Sequence, residues 1–363
     1  MAEQYLDAGT VRRLLGDVLS VSLPKAGDLV AGKYRILGTL GAGGVACVLE
    51  AHHTLLDKTV ALKLLAPEAS PETFASRAER FLVEARAAAK IDSPHVARVL
   101  DVGTLENGAP FIVMERLEGC NLEELLLLEE RLSVKDAADY IVQALQGLGH
   151  AHALGVVHRD LKPANLFLAQ QPDGSSVIKI LDFGIAMLDA DDNGQAANGN
   201  IIGSPVYMSP EQVRNDTNVD HRTDIWSLGT VLYELITAKV PFGAAAEGLG
   251  ELFGAILDEP FVPPSHHRED VPKALDAVLA KALQRDANLR YADVAEFEQA
   301  LAPFAVVSRD VAPADAPVVR EPASGGRGRW WLVIAVVMLA TGWAAHRGAF
   351  SPAIAWVRHY WLP

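Results

Sequence analysis

The pattern of apolar residues changes near Asn121, and this change restricts the fold more than any other feature. Before it lie short runs rich in β-branched and apolar residues, which predict strands and one intervening helix. After it the apolar residues recur at helical spacing over long segments. The predicted strands are Tyr34–Leu40, Cys47–Ala51, Thr59–Leu65, Val96–Val102 and Phe111–Glu115, and the predicted helices are Thr73–Ile91, Val134–Leu154, Thr223–Ile236, Leu249–Leu257, Val271–Leu283 and Ala292–Phe304. The pattern predicts an α+β fold of two lobes, the first strand-rich and the second helical, with a cleft between them.

The net charge limits the classes of partner. The 363-residue chain carries a formal charge of −14 at pH 7. Because a face that binds nucleic acid is normally basic, we expect no nucleic-acid partner. A phosphate compound would need a local cluster of cations and backbone N–H groups. Two cysteines, Cys47 and Cys120, lie far apart without metal-ligand spacing, which predicts a reducing compartment and neither a disulfide nor a zinc site.

The two ends of the chain differ from the central region, residues 28–305. In residues 1–27 apolar side chains recur at helical spacing, which predicts a short amphipathic helix. Residues 306–329 are rich in Ala, Pro, Val and Gly, which predicts a linker. The run Trp330–Ala345 holds 16 residues without a charge, which would cover about 24 Å of a hydrocarbon layer of about 30 Å. We interpret 330–347 as a short transmembrane helix with tryptophans at the interfaces, followed by a tail at 348–363. The alternative is a buried helix of a soluble domain.

A glycine-rich stretch, Gly41-Ala42-Gly43-Gly44-Val45-Ala46-Cys47-Val48, follows the first predicted strand. Glycines allow the backbone to fold tightly over phosphates and to present N–H groups to them. Glycine-rich hairpins are common, so this stretch is weak evidence by itself.

A lysine occupies a strand that is otherwise apolar, Val60-Ala61-Leu62-Lys63. Burial of an unpaired ammonium group is costly. Phosphate oxygens, together with Glu84 on the following predicted helix, would pair with the lysine and offset that cost.

Two further polar segments carry oxygen ligands and a candidate base. They are His158-Arg159-Asp160-Leu161-Lys162-Pro163-Ala164-Asn165 and, after the predicted strand Val177–Leu181, Asp182-Phe183-Gly184. The side-chain oxygens of Asn165 and Asp182 are hard ligands of the kind that Mg²⁺ takes when it also binds phosphates. Asp160 can accept a proton from an incoming hydroxyl group.

With these motifs in this order, the sequence resembles the eukaryotic-type (Hanks-type) protein kinases. It is most similar to the membrane-anchored serine/threonine kinases of bacteria, and the resemblance runs from about Gly32 to Phe304. It includes Ser209-Pro210-Glu211 in the place of the family's Ala-Pro-Glu, the run Asp224–Gly229, and Arg290, which would pair with Glu211. The resemblance implies a two-lobed kinase fold, with a small antiparallel sheet and one helix in the N-terminal lobe. It also implies ATP-dependent transfer of the γ-phosphate to serine and threonine hydroxyls of proteins.

The resemblance assigns a role to each motif residue. Lys63 binds the α- and β-phosphates and is held by Glu84. Asp160 orients and deprotonates the substrate hydroxyl, and Lys162 steadies the transferring phosphate. The other implied contacts are those of Mg²⁺, or Mn²⁺ in its place, with Asn165 and Asp182, those of ATP with Leu40, those of the phosphates with Gly41, Ala42, Gly43 and Gly44, and those of adenine with Val48, Ala61, Met114, Glu115, Leu117 and Phe167.

Two departures from the family pattern concern activity and regulation. Ala46 replaces the third glycine of the loop, from which we expect weaker ATP binding at most. The segment Ile185–Gly203 contains no Ser, Thr or Tyr, although family members commonly carry a regulatory phosphorylation site there. We hypothesise that an acidic side chain of this segment pairs with Arg159, or that dimerisation orders the segment. A segment ordered only by bound substrate is the alternative.

Other functions fit the sequence less well. A pseudokinase scaffold, which binds nucleotide and partners without phosphoryl transfer, is disfavoured because Lys63, Glu84, Asp160, Asn165 and Asp182 are all present. Small-molecule phosphotransferases of a kinase-like fold generally lack the segment Ser209-Pro210-Glu211.

From the resemblance and the uncharged run Trp330–Ala345, we expect a single-pass protein of the cell membrane with its kinase domain in the cytoplasm. Its expected partners are protein substrates, the membrane and a second copy of itself, in signalling at a bacterial inner membrane.

Overall fold

The computed structural model describes residues 23–42, 46–65, 71–183 and 205–305. Several features of the sequence lie outside these ranges: the predicted helix within 1–27, Gly43 and Gly44, the segment Ile185–Gly203, the linker 306–329 and the predicted membrane segment 330–347. Within the described ranges, none of the helices combines the length and the apolar character that crossing a membrane requires.

The described strands and helices follow the order expected from the apolar pattern. In chain order they are β1 (Leu29–Val30), β2 (Tyr34–Ala42), β3 (Ala46–His53), β4 (Lys58–Leu65), α1 (Pro71–Ala88), β5 (Val99–Thr104), β6 (Pro110–Glu115), β7 (Gly119–Asn121), α2 (Leu122–Glu129), α3 (Val134–Ala153), β8 (Leu166–Gln170), β9 (Ser176–Ile180), α4 (Pro210–Val213), α5 (Arg222–Thr237), α6 (Leu249–Asp258), α7 (Lys273–Ala282) and α8 (Val294–Leu301). The predicted α+β division into a strand-rich and a helical lobe is confirmed.

The N-terminal lobe is an antiparallel sheet with the strand order β1-β2-β3-β4-β6-β5 and with α1 against one face. Side chains alternate between the faces of a strand. In β4, Leu62 and Leu64 therefore join the apolar cluster on one face, whereas Leu65 packs with Phe74 and Phe81 of α1 on the other. Lys63 lies on the α1 side, with its Nζ 5.8 Å from the centre of the Phe81 ring. The alternation thus directs the lysine towards the helix that carries Glu84.

The C-terminal lobe is built around α3 and α5. Residues on all sides of α5, including Trp226, Leu228 and Tyr233, are 0–1% exposed, as expected of a helix at the centre of a core. A second sheet, β7-β8-β9, lies in this lobe. Ser133 caps α3 by accepting a hydrogen bond from the Asp136 N–H, which satisfies one of the free backbone donors of its first turn.

Some element boundaries differ from the predicted ones. The helix expected to end at Ile91 ends at Ala88, and the strand expected from Val96 begins at Val99. Val96 instead forms an isolated bridge with Ile180. The helix α7 begins at Lys273 rather than Val271, because a residue that precedes proline is disfavoured in the helical conformation and Pro272 itself is an extended N-cap. The strand β7 and the helix α2 were not predicted.

Candidate active site

Lys63 lies at the centre of an ionic trio. Its Nζ is 2.7 Å from Asp182 Oδ1 and 3.5 Å from Glu84 Oε1. The side chains of Lys63 and Glu84 are 10% and 12% exposed. The predicted pairing of Lys63 with Glu84 is therefore confirmed, and Asp182 is brought to the same ammonium group.

Burial and charge act in opposite directions on these three groups. Burial alone would lower the pKa of Lys63, but the carboxylates of Asp182 and Glu84 raise it above its usual value. Desolvation opposes ionisation of Asp182, although its side chain is 40% exposed, and Lys63 holds the pKa of this carboxyl below its usual range. Burial raises the pKa of Glu84 to about 7, although the positive charge of Lys63 acts to lower it. The trio therefore holds one firmly ionised carboxylate and one that titrates near neutrality.

The pKa of Glu84 predicts a pH-dependent stability. A carboxyl whose pKa rises from 4.5 in the unfolded chain to about 7 in the folded one stabilises the fold below pH 4.5 and loses that contribution as the pH rises through 7. Without nucleotide, we expect this group to lower the free energy of unfolding by about 3 kcal/mol at most between pH 4.5 and 7. Urea titrations of the wild type and of Glu84→Gln at pH 5 and pH 8 measure it. Equal pH dependence in the two proteins would contradict the assignment.

The catalytic-loop residues are held around Asp160. Lys162 Nζ lies 2.8 Å from Asp160 Oδ2. Asn165 Nδ2 donates to the Asp160 carbonyl at 2.7 Å and lies 3.4 Å from Asp160 Oδ2. The Asp160 side chain is 27% exposed, so a substrate hydroxyl can reach it.

Asp224 of α5 holds the backbone of the loop that carries Asp160. It is 0% exposed, and its carboxylate accepts the backbone N–H of His158 at 2.9 Å and that of Arg159 at 2.8 Å. Arg159 has a φ of +66°, a conformation that is uncommon for a residue with a side chain. The two hydrogen bonds hold this turn, which places Asp160 at the cleft. The sequence analysis named Asp224 only as part of the run Asp224–Gly229; a carboxylate directly before the apolar pair Ile225-Trp226 is the local signal that could have identified it.

Asn165 and Asp182 come together through the backbone. The Leu181 N–H donates to the Asn165 carbonyl at 2.9 Å, and His158 Nε2 donates to the Leu181 carbonyl at 2.9 Å. Asn165 donates to Asp160 through its Nδ2, and among the residues that the structure describes its Oδ1 accepts no side-chain hydrogen bond, so this oxygen can serve as a ligand. This amide oxygen and the Asp182 carboxylate form a donor set that fits Mg²⁺ or Mn²⁺.

The residues expected around adenine flank the connection between the lobes, the hinge Glu115–Leu117. Strand register places Val48 opposite Lys63 and Ala61 opposite Met114. Apart from the buried Ala61, the side chains of this set are partly exposed and leave apolar surface for a ring: Val48, Met114, Leu117 and Phe167. Met114 also lines a cavity of about 20 Å³ with Glu84, Asp182 and Phe183. Leu40 and Gly41 lie at the end of β2, before the part of the loop that is not described.

The segment Ser209-Pro210-Glu211 is fixed to the helical lobe as expected. Glu211 receives two hydrogen bonds from Arg290, from Nη1 at 2.6 Å and from Nη2 at 2.7 Å. The Arg290 side chain is 0% exposed and that of Glu211 13%. The predicted buried ion pair is confirmed.

Comparison with known proteins points in the same direction as the geometry. The model of the family described as "Protein kinase domain" matches residues 34–302. The serine/threonine-protein kinase pkn3 of Myxococcus xanthus is 36% identical over 281 residues, which cover 76% of this chain and 50% of that protein. The probable serine/threonine-protein kinase PknB of Bifidobacterium longum is 35% identical over 291 residues, covering 77% and 40%. The chain thus spans half or less of the length of these curated relatives.

Solved structures give the same result. The crystal structure of the PknI kinase domain of Mycobacterium tuberculosis superposes with a TM-score of 0.60 at 26% identity. The superposition covers 78% of this chain and 100% of that domain.

Proposed function

This chain belongs to the protein kinase family, and from that premise we propose that it is an ATP-dependent protein serine/threonine kinase. The observation that carries the proposal is a set of contacts: Lys63 contacts both Glu84 and Asp182, and Lys162 and Asn165 contact Asp160. These residues supply the alignment and charge stabilisation that phosphoryl transfer requires.

Each side chain has a task that its contacts support. The carboxylate of Asp160 accepts the proton of a serine or threonine hydroxyl as the oxygen attacks. Lys162, at 2.8 Å from that carboxylate, is placed to neutralise charge on the transferred group. Lys63 holds the phosphates next to Glu84 and Asp182. A divalent cation bound by Asn165 Oδ1 and Asp182 would neutralise the phosphate oxygens. Lys63 and Lys162 thus supply positive charge locally, within a chain whose formal net charge is −14.

Attachment to a membrane is a further part of the proposal. It is supported by the uncharged run Trp330–Ala345 with tryptophans at both ends. We place the kinase domain on the cytoplasmic side, where ATP is present, with protein substrates and a second copy of the chain as partners in signalling. Val337→Arg, in the middle of the run, is expected to move the full chain out of the membrane fraction. Retention of this variant with the membrane would contradict a spanning segment.

The acceptor type tests the serine/threonine assignment. The full chain is incubated with Mg-ATP labelled at the γ-phosphate and with a generic basic protein, and the labelled products are hydrolysed to amino acids. We expect phosphoserine and phosphothreonine. Label confined to phosphotyrosine, or transferred to a small molecule instead, would contradict the proposal.

A further inference from the structure

The hinge carries two ion pairs that the mechanism above does not use. Arg116 Nε donates to Glu50 Oε1 at 2.8 Å, and Glu115 Oε1 accepts from Lys179 Nζ at 2.7 Å. Glu50 lies in β3, so the first pair joins the hinge to the N-terminal lobe. Lys179 lies in β9, so the second pair joins the hinge to the C-terminal lobe.

Both ends of the Glu115–Lys179 pair are fixed within their lobes. Glu115 is the last residue of β6 and pairs with Val60 of β4. Its backbone N–H donates to the Arg98 carbonyl at 3.0 Å, and its Oε1 accepts the Arg98 N–H at 2.8 Å. On the other side, Lys179 stands opposite Phe167 in the sheet of the C-terminal lobe. Because neither side chain belongs to a free loop, the bond between them restrains the lobes themselves.

A short backbone ladder lies beside this pair. The Ala97 N–H donates to the Ile180 carbonyl at 2.9 Å, and the Ile180 N–H donates to the His95 carbonyl at 2.8 Å. The lobes therefore meet along β9, and the Glu115–Lys179 pair is a charged contact of that seam at the hinge, in addition to the Lys63–Asp182 pair. The side chains of Lys179 and Glu115 are 12% and 29% exposed, so solvent screens this pair less than a surface pair.

The position of the pair relates it to the nucleotide cleft. Lys179 precedes Asp182 by three residues at the end of β9, and Glu115 opens the hinge that would contact adenine. A bond between them sets the distance between the adenine end and the metal-binding end of the cleft. We infer that Lys179 is a positioning residue, whose ion pair with Glu115 holds the lobes at the opening that retains nucleotide. This inference rests on the proposed function, because ATP and ADP are the ligands that the cleft would retain.

The release rate of a fluorescent ADP analogue from the full chain tests the inference. In Lys179→Met we expect release to be about three- to tenfold faster and the KM for ATP to rise by a similar factor, because one partner of a partly buried pair is lost. The single-turnover transfer rate at saturating Mg-ATP should stay within about twofold of the wild type, since Lys179 touches no reacting group. Lys179→Arg restores the charge and should restore slow release.

Two further variants complete the comparison. Glu115→Gln keeps an oxygen for the Arg98 N–H but removes the charge, and should also accelerate release; it replaces Lys179→Met if that variant does not fold. Lys281→Met is the matched control, since Lys281 pairs with Glu296 inside the C-terminal lobe, and should release the analogue as the wild type does.

The outcomes separate the inference from the kinase proposal. Wild-type release rates in both Lys179→Met and Glu115→Gln would overturn the inference and leave the kinase proposal intact. Equal acceleration in Lys281→Met would also overturn it, because the effect would then follow from any lost charge. A wild-type chain that binds no nucleotide would overturn both.

Discussion

Replacement of Asp160 by asparagine is expected to lower kcat for phosphoryl transfer by about 10²–10⁴-fold, with the ATP dissociation constant almost unchanged. The asparagine side chain keeps an oxygen for Lys162 Nζ, which lies 2.8 Å from Asp160 Oδ2 in the wild type. It cannot accept the proton of the substrate hydroxyl. The loss should therefore appear in the chemical step and not in nucleotide binding.

Asp173→Asn is the matched control for this variant. Asp173 lies in the exposed turn between β8 and β9, where its carboxylate accepts hydrogen bonds from Ser175. The same loss of one negative charge should leave kcat within about twofold of the wild type, because the site lies outside the cleft. An Asp160→Asn protein with a kcat close to that of Asp173→Asn would contradict the role of Asp160 as base.

Replacement of Arg290 by alanine is expected to lower the free energy of unfolding by about 3–5 kcal/mol, the usual cost of breaking a buried ion pair from one side. The Arg290 guanidinium donates to Glu211 and also to the carbonyls of Gln284 and Arg222, at 2.7 and 2.9 Å. It lies 5.2 Å from the centre of the Trp226 ring. Its removal takes the donor that Arg290 provides away from the Glu211 carboxylate and from three carbonyls, those of Gln284, Arg222 and Arg285, and leaves a cavity beside the ring.

Urea unfolding of Arg290→Ala measures this loss, and Arg214→Ala serves as its control. Arg214 lies in the same region, follows α4 and is exposed, so its replacement should change the free energy of unfolding by about 0.5 kcal/mol or less. Equal stability of the two variants would show that the Glu211–Arg290 pair does not anchor this part of the helical lobe.

The parts of the site that the sequence predicted are those in which a local pattern carries the information. Lys63 stands in an apolar strand and needs a counter-charge, and Glu84 lies on the helix that packs against that strand. The pair could therefore be expected from the sequence and is found. Asp160 and Asn165 share one short loop, so their proximity also follows from the chain itself.

The contacts that the sequence did not reveal join residues far apart in the chain. Asp224 binds the backbone of His158 and Arg159 across 66 and 65 residues, and Lys179 binds Glu115 across 64 residues. No periodicity of apolar residues marks such partners, because both members are polar and lie in different elements. Likewise, the predicted strand Val96–Val102 was too long at its start, because Val96 to Arg98 pair with β9 and the hinge rather than continuing β5.

Identifying which phosphate of ATP is transferred tests the proposed kinase activity most directly. The full chain is incubated with Mg-ATP labelled either at the γ- or at the α-phosphate, with an acceptor protein, and label on the acceptor is counted for the wild type and for Asp160→Asn. We expect label from the γ-phosphate only, and its loss in Asp160→Asn. Label from the α-phosphate would show nucleotidyl transfer, and no label from either position, with ATP still bound, would identify a nucleotide-binding scaffold; each result would contradict the phosphoryl transfer proposed for this cleft.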